Sequence, residues 1–166
     1  MDIKVLIFSD VHHGIMPDAC QRMEAIAEVA RQNGADCLIC LGDSAWDPAG
    51  HRIMSDIWNS ISLPHYMVLG NHDMDGSSKQ EVMDYYGMPA NYYSFDVSGL
   101  HFIALDTNYF RKKDGGEEAY DYDHSNYYGQ ITDSLPQTQL DWLAQDLEQT
   151  DNPCTVSYTH LTLPTN

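Results

Sequence analysis

Short apolar runs alternate with segments of helical period along the first half of the chain. The runs Ile3 to Ser9, Asp36 to Leu41 and Tyr66 to Leu69 are rich in Val, Ile and Leu and end at Gly or Asp. Runs of this kind read as strands buried in a parallel sheet. Between the first two, Met23, Ile26, Ala27 and Ala30 recur at i, i+3, i+4 and i+7, which predicts a helix from about Asp18 to Gln32. A weaker helical pattern covers about Ala49 to Ile61, and Pro64 precedes the third run. The order is βαβαβ, so the fold class expected is α/β with a parallel sheet.

The second half is patterned differently. Gln80 to Tyr86 reads as a short helix. Tyr92 to Val97 and His101 to Leu105 flank Ser98-Gly99 and read as a hairpin. Leu140, Leu143, Ala144 and Leu147 mark a helix from about Pro136 to Gln149. Between them, an acidic, tyrosine-rich stretch from Asp106 to Ser134 has no clear period. It is long for a loop, which suggests a functional lid or an insertion. The chain has no internal repeat and no linker.

Composition narrows this picture. A chain of 166 residues, 43% of them hydrophobic, is one globular domain by size and can bury a core. No apolar stretch approaches a membrane span. Met1-Asp2-Ile3-Lys4 lacks the features of a signal peptide, so a cytoplasmic protein without a membrane partner is expected. The 25 acidic residues outnumber the 8 Lys and Arg. Such a surface repels duplex nucleic acid and anionic lipid, and it repels phosphate except where bound cations supply a local positive centre. Cys37 and Cys40 have the C-x-x-C spacing of redox or zinc sites. They lie in a predicted strand, where residues three apart face opposite sides, so core packing is the expected role. The oligomeric state is not legible.

Three polar blocks carry the candidate chemistry, each at the end of a strand-like run. They are Asp10-Val11-His12, Gly42-Asp43 and Gly70-Asn71-His72-Asp73. Groups at the carboxyl ends of adjacent parallel strands converge on one crevice, where open α/β sheets bind ligands. Carboxylates, an amide and imidazoles together suit divalent Mn, Fe or Zn. Asp10 and His12 are two apart, so in an extended segment both reach one metal. The competing readings are local: Asp10 as a cap, Asp43 as a turn residue after glycine, and Asn71 as the centre of an Asn turn.

D-x-H, then G-D, then G-N-H-D in this order resembles the calcineurin-like metallophosphoesterases, over about Ile3 to Cys154. The resemblance implies a four-layer α/β/β/α sandwich, of which the order of elements covers the first two-thirds. It implies metal-dependent hydrolysis of phosphoric esters with two divalent ions as cofactors. It also implies that the ions, roughly 3.5–4 Å apart in such sites, would supply a hydroxide for in-line attack on phosphorus. On this resemblance Asp10, His12, Asp43 and Asn71 are metal ligands, with Asp43 bridging. His72 is the general acid, imidazole being the side chain suited to donate a proton near neutrality. Asp73 orients and charge-stabilises the His72 imidazole. The hairpin, Leu105-Asp106-Thr107-Asn108 and the last helix resemble the cyclic-nucleotide phosphodiesterase branch. The expected partner is thus a small phosphoester, a nucleotide among the candidates. Phosphomonoesterases and protein phosphatases share the three blocks, and a non-catalytic binding module of the same fold is the alternative from another class.

Other residues carry weaker readings. His13 points away from His12, His101 packs in the hairpin, and Asp106 ends a strand as a turn residue. Asp121, Asp123 and His124 belong to a solvated loop. Tyr92, Tyr93, Tyr127 and Tyr128 stack a nucleobase or pack the hairpin and lid. Trp46 and Asp47 line the site.

The family has two further blocks, a His at a strand end and G-H-x-H, and this chain contains no G-H-x-H. His160 sits where the first of these belongs. Val156 to Thr165, however, looks like an in-frame translation of a transposase-end sequencing adapter. The expectation is a metallophosphoesterase domain over 1–155, incomplete at its C-terminus, followed by a non-native tail over 156–166. A chain of that kind is expected to be inactive itself. The rival reading is a natural strand followed by a ligand His. Amplifying the source locus decides between them: finding Val156 to Thr165 encoded there sinks the adapter reading.

Overall fold

The computed structural model describes residues 2–47, 50, 52–112, 114–121 and 135–160. Strands β1 (Val5–Phe8), β2 (Cys37–Cys40) and β3 (His65–Met67) form a parallel sheet in chain order, joined by helices α1 (Ala19–Gln32) and α2 (Arg52–Asn59). Val5 lies opposite Cys37 and Leu38 opposite His65. The chain continues through a 3-10 turn (His72–Met74), α3 (Lys79–Tyr86), β4 (Tyr93–Val97), β5 (Leu100–Ala104), β6 (Tyr109–Arg111), β7 (Glu117–Ala119), α4 (Gln137–Gln149) and β8 (Thr155–Tyr158). The βαβαβ order expected from the apolar runs is therefore present. The strands are shorter than the runs because pairing stops where the polar blocks begin. Ala49 and His51, where the second helix was expected to start, lie outside the described residues. No helix among the described residues is long and apolar enough to cross a membrane.

The second sheet has the order β4-β5-β8. β4 and β5 pair antiparallel through Ser98 and Gly99, whose φ values of 50° and 81° are those of a type I′ turn. β8 runs parallel to β5, with His101 opposite Thr155 and Ala104 opposite Tyr158. β6 and β7 form a separate small hairpin, Tyr109 opposite Ala119, inside the stretch expected to lack regular structure. That expectation is corrected for 109–119: strands of three residues are too short for a period to register. Asp123, His124, Tyr127 and Tyr128, in the rest of the stretch, lie outside the described residues.

Alternation along β2 builds both cores. Cys40 faces the helices and packs with Met23, Trp58 and Met67. Cys37 and Ile39 face the second sheet and pack with Phe102, Phe95 and Val156. Both cysteines are free, and burial pushes the Cys37 thiol up to about 11 and the Cys40 thiol further. Neither is a thiolate near neutrality, so the C-x-x-C pair is core. α4 covers the far face of the second sheet, where Trp142 meets Tyr92 edge-on and Asp146 accepts from Ser94. The layers are thus helices, sheet, sheet, helix. β3 is an edge strand, and the Tyr93 hydroxyl occupies that edge. It accepts from the Met67 N–H at 3.0 Å and donates to the Met67 carbonyl at 2.9 Å.

His101 pins α4 to this sheet. Its Nδ1 lies 2.8 Å from Asp96 Oδ1 and its Nε2 2.7 Å from Asp146 Oδ2. A neutral imidazole donates only one hydrogen bond, so two carboxylate partners select the imidazolium. Burial opposes the charge, but the bonds to Asp146 and Asp96 hold the pKa above its ordinary value. A raised folded-state pKa stabilises fully below the unfolded value near 6.5, and the contribution is lost as pH rises through the folded value. Urea midpoints measured across that range should therefore fall more for the wild type than for His101→Gln. Parallel curves for the two proteins would show that the clamp does not titrate.

Candidate metal centre

The three polar blocks meet at the carboxyl ends of β1, β2 and β3. A backbone ladder joins the first two: Asp10 N–H donates to Gly42 O at 3.1 Å, His12 N–H to Asp43 O at 2.9 Å and His13 N–H to Ser44 O at 2.9 Å. The segment holding Asp10 and His12 is not extended. Among the described residues, Asp10 (φ 59°), His12 (φ 53°) and Asp43 (φ 54°) are three of the four non-glycine residues in the left-handed region. The expectation that Asp10 and His12 converge by strand alternation is corrected: left-handed turns on both sides of Val11 bring them together. Such backbone costs of order 1–3 kcal/mol per residue and persists where surrounding contacts over-determine it.

His12 Nε2 lies 3.4 Å from Asp10 Oδ1 and 3.6 Å from Asp43 Oδ2. Both distances exceed those of a good hydrogen bond. One ligand atom from each of the three residues lies within 4.8 Å of the other two. Two carboxylates and an imidazole gathered this closely without bonding one another fit a shared divalent cation. Asp43 is buried at 3% exposure, and its Oδ1 accepts the His72 N–H at 2.9 Å. Burial alone would raise its pKa, but the His160 imidazole and the His72 N–H hold it below the usual carboxylate range. Asn71, also buried, stands one residue before His72.

The His72 ring lies 5.3 Å from the His12 ring, edge to face. Its Nδ1 is 2.5 Å from Asp75 Oδ2, and Tyr120 donates to Asp75 Oδ1 at 3.1 Å. The orienting carboxylate is therefore Asp75, and the expectation for Asp73 is corrected. Asp73 is fully buried and accepts four main-chain N–H groups: Asp43 and Gly70 on Oδ2, Ser44 and Ala45 on Oδ1. Burial and the Asp43 charge outweigh the pull of the N–H groups and leave its carboxyl at about 7 overall. With two N–H groups on each oxygen, the ionised form is the one this nest of amides accepts. Asp73 shapes the loop after β2 instead of touching the imidazole.

His160 Nε2 lies 3.2 Å from Asp43 Oδ2, and its Nδ1 donates to Leu41 O at 2.6 Å. Burial lowers its pKa, but the Asp43 contact raises it to about 8 overall. Trp46 is half exposed beside the site, and Asp47 accepts from Ser77 at 3.0 Å. Tyr92 and Tyr93 pack against Trp142 and Met67, within the fold. Sequence reasoning missed Asp75 and Tyr120. The one local signal was the i, i+3 spacing of His72 and Asp75.

The family model for calcineurin-like phosphoesterases matches residues 3–166. No curated protein sequence matches the chain. A dimetal phosphatase from Danio rerio has a similar structure, with a TM-score of 0.66 over 96% of this chain and 69% of that one, at 14% identity. The phosphopantetheinyl hydrolase PptH from Mycobacterium tuberculosis gives 0.57 over 97% and 69%, at 13% identity. At these identities the likeness is one of fold.

Proposed function

Because the chain belongs to the calcineurin-like phosphoesterase family, a family of metal-dependent hydrolases of phosphoric esters, we propose that it acts on phosphodiesters, with Asp10, His12, Asp43 and Asn71 as metal ligands and His72 as proton donor. The observation that carries this reading is the convergence of Asp10, His12 and Asp43 beside an imidazole already held on one side by Asp75. Two divalent ions, when bound, supply positive charge to the phosphate oxygens and a more acidic water. Asp43, with one oxygen toward His12 and the other on the His72 N–H, ties the ligand set to the acid. Asp75 on Nδ1 leaves Nε2 of His72 as the atom that gives its proton to the departing oxygen.

Net charge favours the diester. At −17 the chain repels a dianionic monoester more than a monoanionic diester. The Leu105–Asn108 segment, which resembles the cyclic-nucleotide type, touches the end of β3 through Asn108. The second reading, a phosphomonoesterase, draws on the Danio rerio protein's being a dimetal phosphatase. For the 166-residue chain itself, we propose weak metal retention and little turnover, since it carries no G-H-x-H. The test is hydrolysis of bis(p-nitrophenyl) phosphate against p-nitrophenyl phosphate with Mn²⁺, on this chain and on the protein read through from the source locus beyond Thr155. Faster diester hydrolysis by the longer protein supports the proposal. A preference for the monoester makes it a phosphomonoesterase, and full activity of the 166-residue chain overturns the expectation of little turnover.

His72→Ala in the active protein should lower turnover by about 10²–10⁴-fold, the range for a lost general acid, with metal content unchanged. Metal loss in parallel with activity would make His72 a ligand instead.

A further inference from the structure

We propose that Asn108 is a positioning residue for Asn71 and His72, held in place by the buried Asp106–Lys79 pair. The inference rests on the roles given to Asn71 and His72 above. Asn108 is 1% exposed, and its Nδ2 donates to Leu69 O at 3.0 Å and to Asp106 Oδ1 at 3.0 Å. Leu69 is the last residue before Gly70-Asn71-His72, so this amide fixes the carbonyl from which that turn departs. A second arm leaves from the Asn108 main chain. Its carbonyl accepts the Tyr120 N–H at 2.8 Å, and the Tyr120 hydroxyl holds Asp75, the carboxylate on His72 Nδ1. The two arms reach His72 from opposite ends, one through its backbone and one through its ring.

Asp106 sets Asn108. It is fully buried: Oδ1 accepts the Asn108 N–H and side-chain amide, and Oδ2 accepts Lys79 Nζ at 2.6 Å and Asn91 Nδ2 at 2.8 Å. Lys79 Nζ also donates to Asn108 O at 3.0 Å. Gln139 of α4 clamps the Asp106 main chain, accepting its N–H at 2.8 Å and donating to its carbonyl at 2.9 Å. Stability alone does not call for this arrangement, because a buried ion pair replaced by apolar groups of equal volume is often no less stable. What a densely bonded buried network supplies is a single geometry. In this one Asn108 Oδ1 is left without a partner while both of its amide protons are bonded, and it ends on the residues that flank the acid.

The test compares Asn108→Ala with Gln139→Ala, which disturbs the same Asp106 main chain but whose side chain hydrogen-bonds to Asp106 and not to Leu69 or Tyr120. Two quantities are read on the 166-residue chain: hydrogen exchange of the His72 amide relative to the Phe102 amide without metal, and Mn²⁺ affinity by titration. Asn108→Ala should speed relative exchange at His72 by about tenfold and weaken Mn²⁺ binding by roughly 10–100-fold, as loss of a partner that orients ligands does. Gln139→Ala should lower the urea midpoint with little change in either. If Asn108→Ala does not fold, Asn108→Ser carries the same comparison. A folded Asn108 variant that leaves His72 exchange unchanged, or matches Gln139→Ala in it, overturns the proposal. If the wild-type 166-residue chain binds Mn²⁺ too weakly to titrate, the metal-free exchange alone decides the role of Asn108.

Discussion

Replacing Asp43 with Asn is expected to abolish metal binding while leaving the fold intact. The carboxylate is almost fully buried and held ionised, and it faces His12 with one oxygen and the His72 N–H with the other. An amide of the same shape keeps one acceptor for the His72 N–H but removes the charge. Mn²⁺ affinity should fall by at least about 100-fold, or roughly 2.7 kcal/mol. Where the active protein is assayed, turnover should fall on the order of 10³-fold or more, since the metals contribute several kcal/mol to the transition state and each 1.36 kcal/mol is tenfold. The fold survives because Asp73 organises this loop through main-chain N–H groups, including that of Asp43 itself, which the substitution does not touch. Asp10→Asn should be milder, because the Asp10 side chain is 57% exposed and water can take its place. Isothermal titration and metal analysis of both variants check this. A larger loss from Asp10→Asn would place the shared carboxylate at Asp10.

Why the sequence reveals some of this site and hides the rest follows from where each residue sits. Asp10, His12, Asp43 and Asn71 are legible because strands buried on both faces read as continuous apolar runs, and polar residues at their carboxyl ends stand out. The partner of His72 is not legible from the adjacent carboxylate. His72-Asp73-Met74 forms a 3-10 turn, in which residues i and i+3 align along one side. That geometry sets Asp75 beside the imidazole and turns Asp73 inward onto main-chain amides. The left-handed conformations at Asp10, His12 and Asp43 leave only a faint mark in the sequence, since Asp and His are enriched there but adopt that region in a small minority of cases. The Lys79–Asp106–Gln139 network joins α3, the segment after β5 and α4, and no local period announces a contact between segments so far apart in the chain. The capping box Ser78–Glu81, by contrast, is local and marks the start of α3.

Gly70→Ala should be among the most damaging single-methyl changes in the molecule. A Cβ at Gly70 would lie 2.2 Å from both the N and the Oδ1 of Asp43, and 2.9 Å from the carbonyl carbon of Gly42. The neighbours are main chain, apart from a carboxylate that is itself fixed, so no flexible side chain can yield. Gly42 is the reciprocal contact, its Cβ position lying 2.3 Å from Gly70 N. The ends of β2 and β3 thus approach to a distance that only paired glycines permit, and this closeness lets Gly70 N–H and Asp43 N–H share one oxygen of Asp73. Inserting a methyl should cost about 1–3 kcal/mol or more. At an m-value of about 1–3 kcal/mol/M, that lowers the urea midpoint by roughly 1 M. It should also displace the Asp43 carboxylate, so Mn²⁺ binding is lost with it. Gly34→Ala isolates the conformational part: Gly34 has φ +62°, and a methyl there would meet nothing within 4 Å. Its cost is that of left-handed backbone alone, about 1–2 kcal/mol, with Mn²⁺ binding unchanged. Urea titrations and Mn²⁺ binding on the two variants separate strain from clash. Should Gly70→Ala keep its metal affinity, the close approach of the two strand ends would not be what holds Asp43 in place.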